Sequence, residues 1–283
     1  MAHQSDPAAD LPDTQHLPAS AVMVSMARFG RGRVGELTSL RILALAVLGG
    51  GFITAGALFS VLLSSGVETP GIRHLLEGFA FSAGFFFVVL SEAVLFTEAN
   101  VVLPTTLLQD RTAWQRVLRF WAIAWVGNLL GAWLFGTLIA IAQGYGPETL
   151  ANLSEIIGRK LSYREVGGAG SWWRLVLSGV LANWLVGMAA FFAVMGRTII
   201  GKYIPVLLAV TLFVSAGFQH SPANMGYFAL HIAHGGGPNW GVALGWNIIP
   251  AGIGNMIGAA ILVALPFWFV HHRGATSDAE EIG

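Results

Sequence analysis

The sequence contains no cysteine and few charged side chains. Without cysteine, the chain can form no disulfide framework, no thiolate nucleophile and no Cys-ligated zinc or iron–sulfur site. Charged residues make up only 11% of the chain, whereas about a quarter is usual in soluble domains. Lys plus Arg and Asp plus Glu both number 15, so the chain lacks the basic excess that favours a nucleic-acid partner. This composition also excludes a disordered chain and argues against most soluble enzymes.

Long apolar runs take the place of charge, with 55% hydrophobic residues and a mean hydropathy of +0.67. Residues 203–272 contain no Lys, Arg, Asp or Glu, which leaves room for two membrane spans joined by a polar turn at 231–240. Residues 78–109 form another apolar segment, which Glu92 and Glu98 interrupt. A helix crosses a bilayer in about 20 residues, and three more uncharged runs reach that length: 42–67, 120–147 and 175–196. We therefore expect an all-α membrane protein with six transmembrane helices in a lipid bilayer.

The N-terminal part of the chain is polar and precedes the first apolar run. The first 17 residues are polar and acidic and lack the apolar core of a cleavable signal peptide, so we expect a mobile cytoplasmic tail. Residues 18–38 mix apolar positions with three arginines, which fits either an amphipathic helix on the cytoplasmic surface or a basic stop before the first span. With the N-terminus inside, the inner segments hold ten basic residues and the outer segments five. The positive-inside rule then predicts cytoplasmic N- and C-termini in the cytoplasmic (inner) membrane.

The two halves of the chain resemble each other. Residues 126–132 (VGNLLGA) match 253–259 (IGNMIGA) at an offset of 127, and 91–100 (SEAVLFTEAN) echoes 215–224 (SAGFQHSPAN) at an offset of 124. Halves of three spans each are inserted in opposite directions, as in the inverted repeats of many transporters. The predicted segments are a tail (1–17), a cytoplasmic N-terminal segment (18–41), a first three-helix repeat (42–143), an outer loop (144–171), a second three-helix repeat (172–270) and a cytoplasmic C-terminal tail (271–283).

The second span of each half carries polar residues in its middle. In the first half, exposure to lipid would cost free energy at four polar residues: Glu92, Thr97, Glu98 and Asn100. In the second half, Pro222 lacks the N–H that a continuous helix needs. Non-helical chain at membrane depth is tolerated only where protein or a polar cavity surrounds it. We therefore expect helices 2 and 5 to be broken, with their half-helix ends offering partial charges to a small ion.

Five short segments of these helices form a recognisable pattern: 95–97 (LFT), 126–132, 179–185 (GVLANWL), 217–225 (GFQHSPANM) and 247–255 (NIIPAGIGN). In these segments the sequence resembles the formate/nitrite transporter family, and the similarity runs from about residue 18 to 269. The resemblance implies a six-helix protomer with an aquaporin-like inverted repeat of 3+3 helices, a pore in each protomer and a homopentamer. It also implies passage of small monovalent weak-acid anions such as formate, nitrite, hydrosulfide or lactate, without a cofactor.

The resemblance assigns roles to particular residues. His220 is similar to the family's central pore histidine, with Ser221 and Asn224 in the same string, and Thr97 is similar to the loop threonine that faces it. Asn183 matches an asparagine near the pore. The apolar constrictions of the family correspond to Phe81, Phe85, Leu95, Val186 and Phe213.

Three positions depart from the family pattern. The family usually has an acid where this chain has Val94, and a glutamate where it has Gln219. An outer-vestibule lysine would align with Gly167, although Lys160 and Arg164 lie close enough for a small loop insertion to restore the charge. These departures are typical of a divergent member with its own substrate preference.

The mechanism that we expect is proton-assisted passage of an anion between two apolar rings. His220, Thr97 and Asn224 would hydrogen-bond the anion or supply and reclaim a proton. Asn183 and Asn224 could equally only tie down the broken backbone, and His220 could be a core histidine bonded to a helix carbonyl. Phe81 and Phe85, at i and i+4, also fit ordinary helix packing.

Other functions remain as alternatives. A pore for a small neutral solute or an undissociated acid fits the loss of the family's charges. A haem protein would need two deep histidines and only His220 qualifies, while no Gly-Lys phosphate motif supports an ATP-driven pump. Glu92 and Glu98 could replace the missing acid, line the inner mouth or brace the loop, and we favour bracing for Glu98. His231 and His234 fit a surface turn better than a metal site.

Overall fold

The computed structural model describes residues 16–271, which form ten helices joined by short segments. The helices are α1 (Ala19–Glu36), α2 (Ser39–Ser64), α3 (Pro70–Ser91), α4 (Phe96–Gln109), α5 (Trp114–Ala142), α6 (Pro147–Val166), α7 (Gly168–Met195), α8 (Ile199–Ser215), α9 (Ser221–Ala233) and α10 (Trp240–His271). α10 includes two π-helical stretches, Leu244–Ile248 and Ala260–Ala264.

Within residues 16–271, five helices are long and apolar enough to cross a membrane, namely α2, α3, α5, α7 and α10. α8 is also apolar but has only 17 residues. The fold is therefore that of an all-helical, multi-pass membrane protein. The uncharged runs predict the ends of α5 and α7 only approximately, because both helices start before the last charged residue that precedes each run.

The predicted tails, 1–17 and 271–283, lie almost wholly outside the described residues. Leu17, the last residue of the predicted N-terminal tail, is described: it is buried, and its backbone N–H donates to Met195 O at the end of α7 at 2.8 Å.

The two halves pack in the same way. A Cβ placed on Gly131 of α5 would lie 2.1 Å from the carbonyl oxygen of Val47 in α2, and one on Gly258 of α10 would lie 2.1 Å from that of Val180 in α7. Such backbone contact requires glycine, as in close membrane helix pairs. Gly131 and Gly258 are 127 residues apart, which is the offset of the sequence repeat.

Two short non-helical turns, which we call the two interruptions, separate α3 from α4 and α8 from α9. α3 ends at Ser91, the next residue Glu92 has a left-handed backbone (φ 54°), and α4 begins at Phe96. α8 ends before Gly217, which is also left-handed (φ 72°), and α9 begins at Ser221.

Paired asparagines hold these two interruptions in place. Asn128 Oδ1 accepts from the N–H of Phe96 at 2.9 Å, and Asn255 Oδ1 accepts from the N–H of Ser221 at 2.8 Å. Each asparagine also donates to the carbonyl two residues before that N–H. The equivalent loop positions are thus 125 residues apart, so the sequence match at 124 is one residue out of the structural register.

The bundle has two ends, which we call the α1 side and the α6 side. α2 runs between them, since it begins after α1 and its last turn accepts hydrogen bonds from Asn152 of α6 at Val61 O (2.9 Å) and Ser64 Oγ (2.8 Å). The sequence predicts residues 144–171 only as a loop. The structure instead contains the helix α6 there, which packs against α9 and the end of α2.

Candidate pore site

The centre of the candidate site is a contact between the two interruptions. His220 lies immediately before α9, Thr97 is the second residue of α4, and Nε2 of the histidine is 2.9 Å from Thr97 Oγ1. Both side chains are buried. The N–H of Ala223 donates to His220 Nδ1 at 3.2 Å, so Nδ1 is an acceptor and Nε2–H of the neutral ring donates to Thr97.

This contact brings the N-terminal ends of α4 and α9 together. The first N–H groups of a helix have no partner within the helix and carry partial positive charge. Two such ends that meet at a buried point favour negative charge between them.

Aromatic rings pack against the histidine. The Phe213 and His220 ring centres are 5.2 Å apart, and Phe81 contacts Phe213 edge-on at 6.1 Å and stacks on Tyr227 at 5.9 Å. The remaining predicted constriction residues, Phe85, Leu95 and Val186, are buried in the same apolar cluster. The structure thus collects all five predicted constriction residues into one core.

On the α6 side of these rings lies a cavity of ≈ 140 Å³, whose lining combines apolar side chains with a few charged and polar ones. Charged side chains from two helices reach it, namely Glu77 from α3 and Arg159 and Lys160 from α6. Arg159 Nη2 is 2.6 Å from Glu77 Oε1, and Arg159 also pairs with Glu155 at 3.2 Å.

Lys160 connects this cavity to the site. Its Nζ donates to Asn224 Oδ1 at 2.6 Å and lies 4.8 Å from the centre of the Tyr227 ring. Burial, followed by the positive charge of Arg159, lowers the pKa of the Lys160 ammonium group to about 7. Of the two bases that the sequence suggests for the vestibule, the structure brings Lys160 into the site and leaves Arg164 exposed.

Two amide side chains, Gln219 and Asn247, lie beside Asn224 and Lys160. Gln219 Oε1 accepts from Asn224 Nδ2 and from Asn247 Nδ2, both at 3.0 Å. Asn247 also donates to the Lys160 carbonyl at 2.9 Å. Gln219 therefore supplies a neutral acceptor where the resemblance predicts an acid. Asn247 belongs to the 247–255 segment, where the sequence pattern alone predicts no role for it.

Asn183 and Ser221 are tied to backbone groups. Asn183 Nδ2 donates to Asn255 O at 2.7 Å and to Thr97 O at 3.3 Å, while its Oδ1 has no hydrogen-bond partner within residues 16–271. Ser221 Oγ donates to Ile248 O at 2.9 Å and accepts from Trp125 Nε1 at 3.2 Å. Ser221 thus has both kinds of hydrogen bond satisfied by protein.

The two predicted acids lie on the α1 side, where Arg33 of α1 reaches both. Arg33 Nη2 donates to the backbone carbonyl of Glu92 at 2.9 Å, and its Nη1 is 3.8 Å from Glu98 Oε2. Glu92 is exposed. Val94, which stands where the family usually has an acid, is buried. Arg33 therefore binds the backbone of the turn and also pairs with Glu98, while the bracing role of Glu98 stays a prediction.

His231 and His234 lie at the α6 side, away from His220. His231 Nε2 is 2.8 Å from Ser154 Oγ of α6, and its Nδ1 contacts the Gly237 carbonyl. His234 Nδ1 contacts Leu230 O at 2.7 Å. Both rings bind groups that shape the turn after α9.

The chain is similar in sequence to known transporters. A family model described as formate/nitrite transporter matches residues 21–269. The chain is 30% identical over 244 residues to a "Probable formate transporter" of Methanothermobacter thermautotrophicus, covering 82% of this chain and 89% of that protein. It is 28% identical over 257 residues to the "Formate channel FocA" of Escherichia coli K12, covering 83% of this chain and 87% of that protein.

Two solved structures share the fold. One, described as a "Pentameric formate channel with formate bound", has a TM-score of 0.69 at 22% identity and covers 83% of this chain and 98% of that chain. The other, an "FNT family ion channel", has a TM-score of 0.73 at 20% identity and covers 89% of this chain and 97% of that chain. The family match spans nearly all of the described helices, and its relatives are transporters and channels, not enzymes. This chain therefore belongs to the formate/nitrite transporter family.

Proposed function

We propose that this protein is a membrane channel for formate, nitrite or a similar small monovalent weak-acid anion, and that protons assist the passage. One arrangement supports this proposal most directly. Lys160 reaches from the cavity to Asn224, which lies four residues after His220. His220 in turn bonds Thr97, and this bond joins the two interruptions. The family and the names of its relatives point to the same substrates.

The proposed protomer crosses the membrane six times. α2, α5, α7 and α10 are continuous crossings, whereas α3 with α4 and α8 with α9 are two broken ones. The matching loop bonds of Asn128 and Asn255 support two halves of opposite orientation. We place α1 in the cytoplasm of an inner-membrane protein and, by analogy with the pentameric relative, propose a homopentamer.

Entry from the α6 side is the step that Lys160 serves. Because Glu77 already pairs with Arg159, the ammonium group of Lys160 attracts an anion into the cavity. The lowered pKa makes this attraction depend on pH near neutrality. An anion that reaches the cavity then meets the rings of Phe81 and Phe213.

Proton uptake would remove the main cost of crossing the rings. Burial of an unpaired anion among apolar groups is far more costly than burial of the neutral acid. The anion takes up one proton on the α6 side, crosses as the neutral acid and releases the proton beyond the site. His220 and Thr97 hydrogen-bond the acid, or supply and reclaim its proton, at the point where two helix N-termini meet.

A pore for a small neutral solute is the second candidate. Gln219 and Val94, both buried, place uncharged side chains where the resemblance predicts acids. Such a pore would pass undissociated acid or another neutral molecule without any need for Lys160. The two candidates differ in the effect expected when Lys160 or His220 is replaced.

The proposal is tested by formate influx into liposomes that contain the purified protein and an internal pH dye. Wild type and His220→Asn are compared at outside values of about pH 5.5 and about pH 7.5, on either side of the usual histidine range. We expect wild-type influx to rise in acid and to collapse in the variant. Absence of formate influx at both pH values would contradict the formate assignment.

A further inference from the structure

Asn100 of α4 has an amide group that the protein leaves without partners. Its side chain is 0% exposed, and neither Nδ2 nor Oδ1 has a hydrogen-bond partner within residues 16–271. By contrast, Asn128 and Asn255, which are also 0% exposed, each make three hydrogen bonds. Because buried polar groups are nearly always paired, an amide with both ends free requires an explanation.

The position of Asn100 relates it to the candidate pore. It lies three residues after Thr97 and so on the same face of α4, about one turn further toward the α1 side. Glu98, two residues before Asn100, lies on roughly the opposite face and approaches Arg33 of α1. Asn100 is therefore turned away from α1 and follows Thr97 along the helix.

A second residue with a free amide atom, Asn183, contacts Thr97. Asn183 Nδ2 is occupied, since it donates to the carbonyls of Thr97 and Asn255, but Asn183 Oδ1 is buried and has no donor in the described chain. Asn100 and Asn183 together offer one N–H₂ donor and two carbonyl acceptors.

This set of groups matches a protonated acid better than its anion. Formic or nitrous acid has one O–H donor and one double-bonded oxygen acceptor, which pair with an amide oxygen and an amide N–H. The anion has acceptors only, so it could bind Asn100 Nδ2 but would face the two carbonyl oxygens without a proton to share.

We propose that Asn100, with Oδ1 of Asn183, is a hydrogen-bonding site for the neutral form of the transported acid, on the α1 side of the Thr97–His220 contact. This inference rests on the proposed function, because it concerns the form in which that substrate leaves the central contact. No bond is made or broken at this site, and the acid releases its proton after it leaves Asn100.

The test replaces Asn100 with leucine, which is similar in size and removes both amide groups. We expect Asn100→Leu to lower formate and nitrite influx at about pH 5.5 at least tenfold, which corresponds to about 1.4 kcal/mol. The melting temperature in detergent should stay the same or rise, because an unpartnered buried amide is lost. Thr105→Val is the matched control, since Thr105 is buried on the same helix and, within residues 16–271, its hydroxyl bonds only to Val102 O.

The outcomes separate this inference from the proposed function. If the wild type fails to carry formate, the proposed function is wrong. If the wild type carries formate and Asn100→Leu carries it at the same rate, only the inference is overturned. A joint loss of influx and melting temperature would also overturn it, because a structural role predicts that result. Should Asn100→Leu fail to assemble, Asn100→Ala removes both amide groups with a smaller side chain, and a wild-type rate would overturn the inference.

Discussion

Nζ of Lys160 and Oδ1 of Asn224 lie 2.6 Å apart, and this contact joins α6, which is outside the apolar membrane spans, to a residue four positions after His220. The two residues are 64 positions apart in the sequence and lie on different helices, α6 and α9. The bond places the partly buried amino group of Lys160 at the wall of the cavity. In the proposed function, Lys160 and Asn224 mark the point at which an anion leaves water.

Replacement of Lys160 tests the entry step. The pKa of about 7 makes Lys160 cationic below neutral pH and uncharged above it. We expect Lys160→Met to raise the KM for formate about tenfold or more at pH 6, where a charge is lost, and much less at pH 8, where little charge remains. Initial rates of liposome influx against formate concentration give both values.

Arg164→Gln is the control for Lys160→Met. Arg164 lies on the same helix but is exposed, and exposed charges contribute little at physiological ionic strength. The Arg164 variant should keep the wild-type KM at both pH values. An equal effect of the two substitutions would mean that general surface charge, and not the Lys160 ammonium group, attracts the anion.

A charge introduced at Gln219 should shift the pH range over which Lys160 acts. Gln219→Glu places a carboxylate beside the amide cluster that holds Lys160, and a nearby opposite charge favours the protonated lysine. The pKa of Lys160 should rise toward its ordinary value of 10.5. We expect the alkaline limb of the KM–pH profile to move up by about one unit or more. Gln219→Met, which adds no charge, should leave the position of that limb unchanged.

Asn128 and Asn255 should matter equally for stability. Each binds one N–H and two carbonyls of the opposing backbone, and each buried group left without a partner costs about 1–3 kcal/mol. Asn128→Ala and Asn255→Ala should therefore each lower the free energy of unfolding by about 3 kcal/mol or more. Thermal unfolding in detergent, with the exposed Gln143→Ala as control, measures the change.

A large difference between the two asparagine variants would contradict the structural repeat. The repeat predicts comparable losses because the two sets of hydrogen bonds have the same pattern. Formate influx through either variant, where the protein still assembles, should fall together with stability. This joint fall differs from the separation of influx and stability expected at Asn100.

Local pattern predicts the apolar helices well and the site only in part. The uncharged runs indicate α2, α5 and α7, because membrane helices exclude charge. Helix α6 escapes the same reasoning, since it carries many charged residues and its burial depends on contacts with α9 and α2. Charge marks the limits of an apolar run and not the ends of a helix.

The site residues show a similar limit. The sequence pattern and the family resemblance indicate His220 and Thr97, and the structure joins them. The bond between Lys160 and Asn224 depends on how α6 folds back over α9, which no short motif encodes. The saturated hydrogen bonds of Ser221 likewise come from α5 and α10, so its position in the motif could not reveal them.

In the proposed mechanism, the acid passes Phe81, Phe213 and His220 in its neutral form. The most direct test measures initial formate influx into liposomes at a fixed pH while the membrane potential is varied with a potassium gradient and an ionophore. Each elementary charge that crosses gains or loses about 2.3 kcal/mol per 100 mV. We predict influx that is independent of the potential and brings in one proton per formate. Influx that rises steeply as the inside is made positive, without protons, would contradict the account and identify the pore as one that conducts the bare anion.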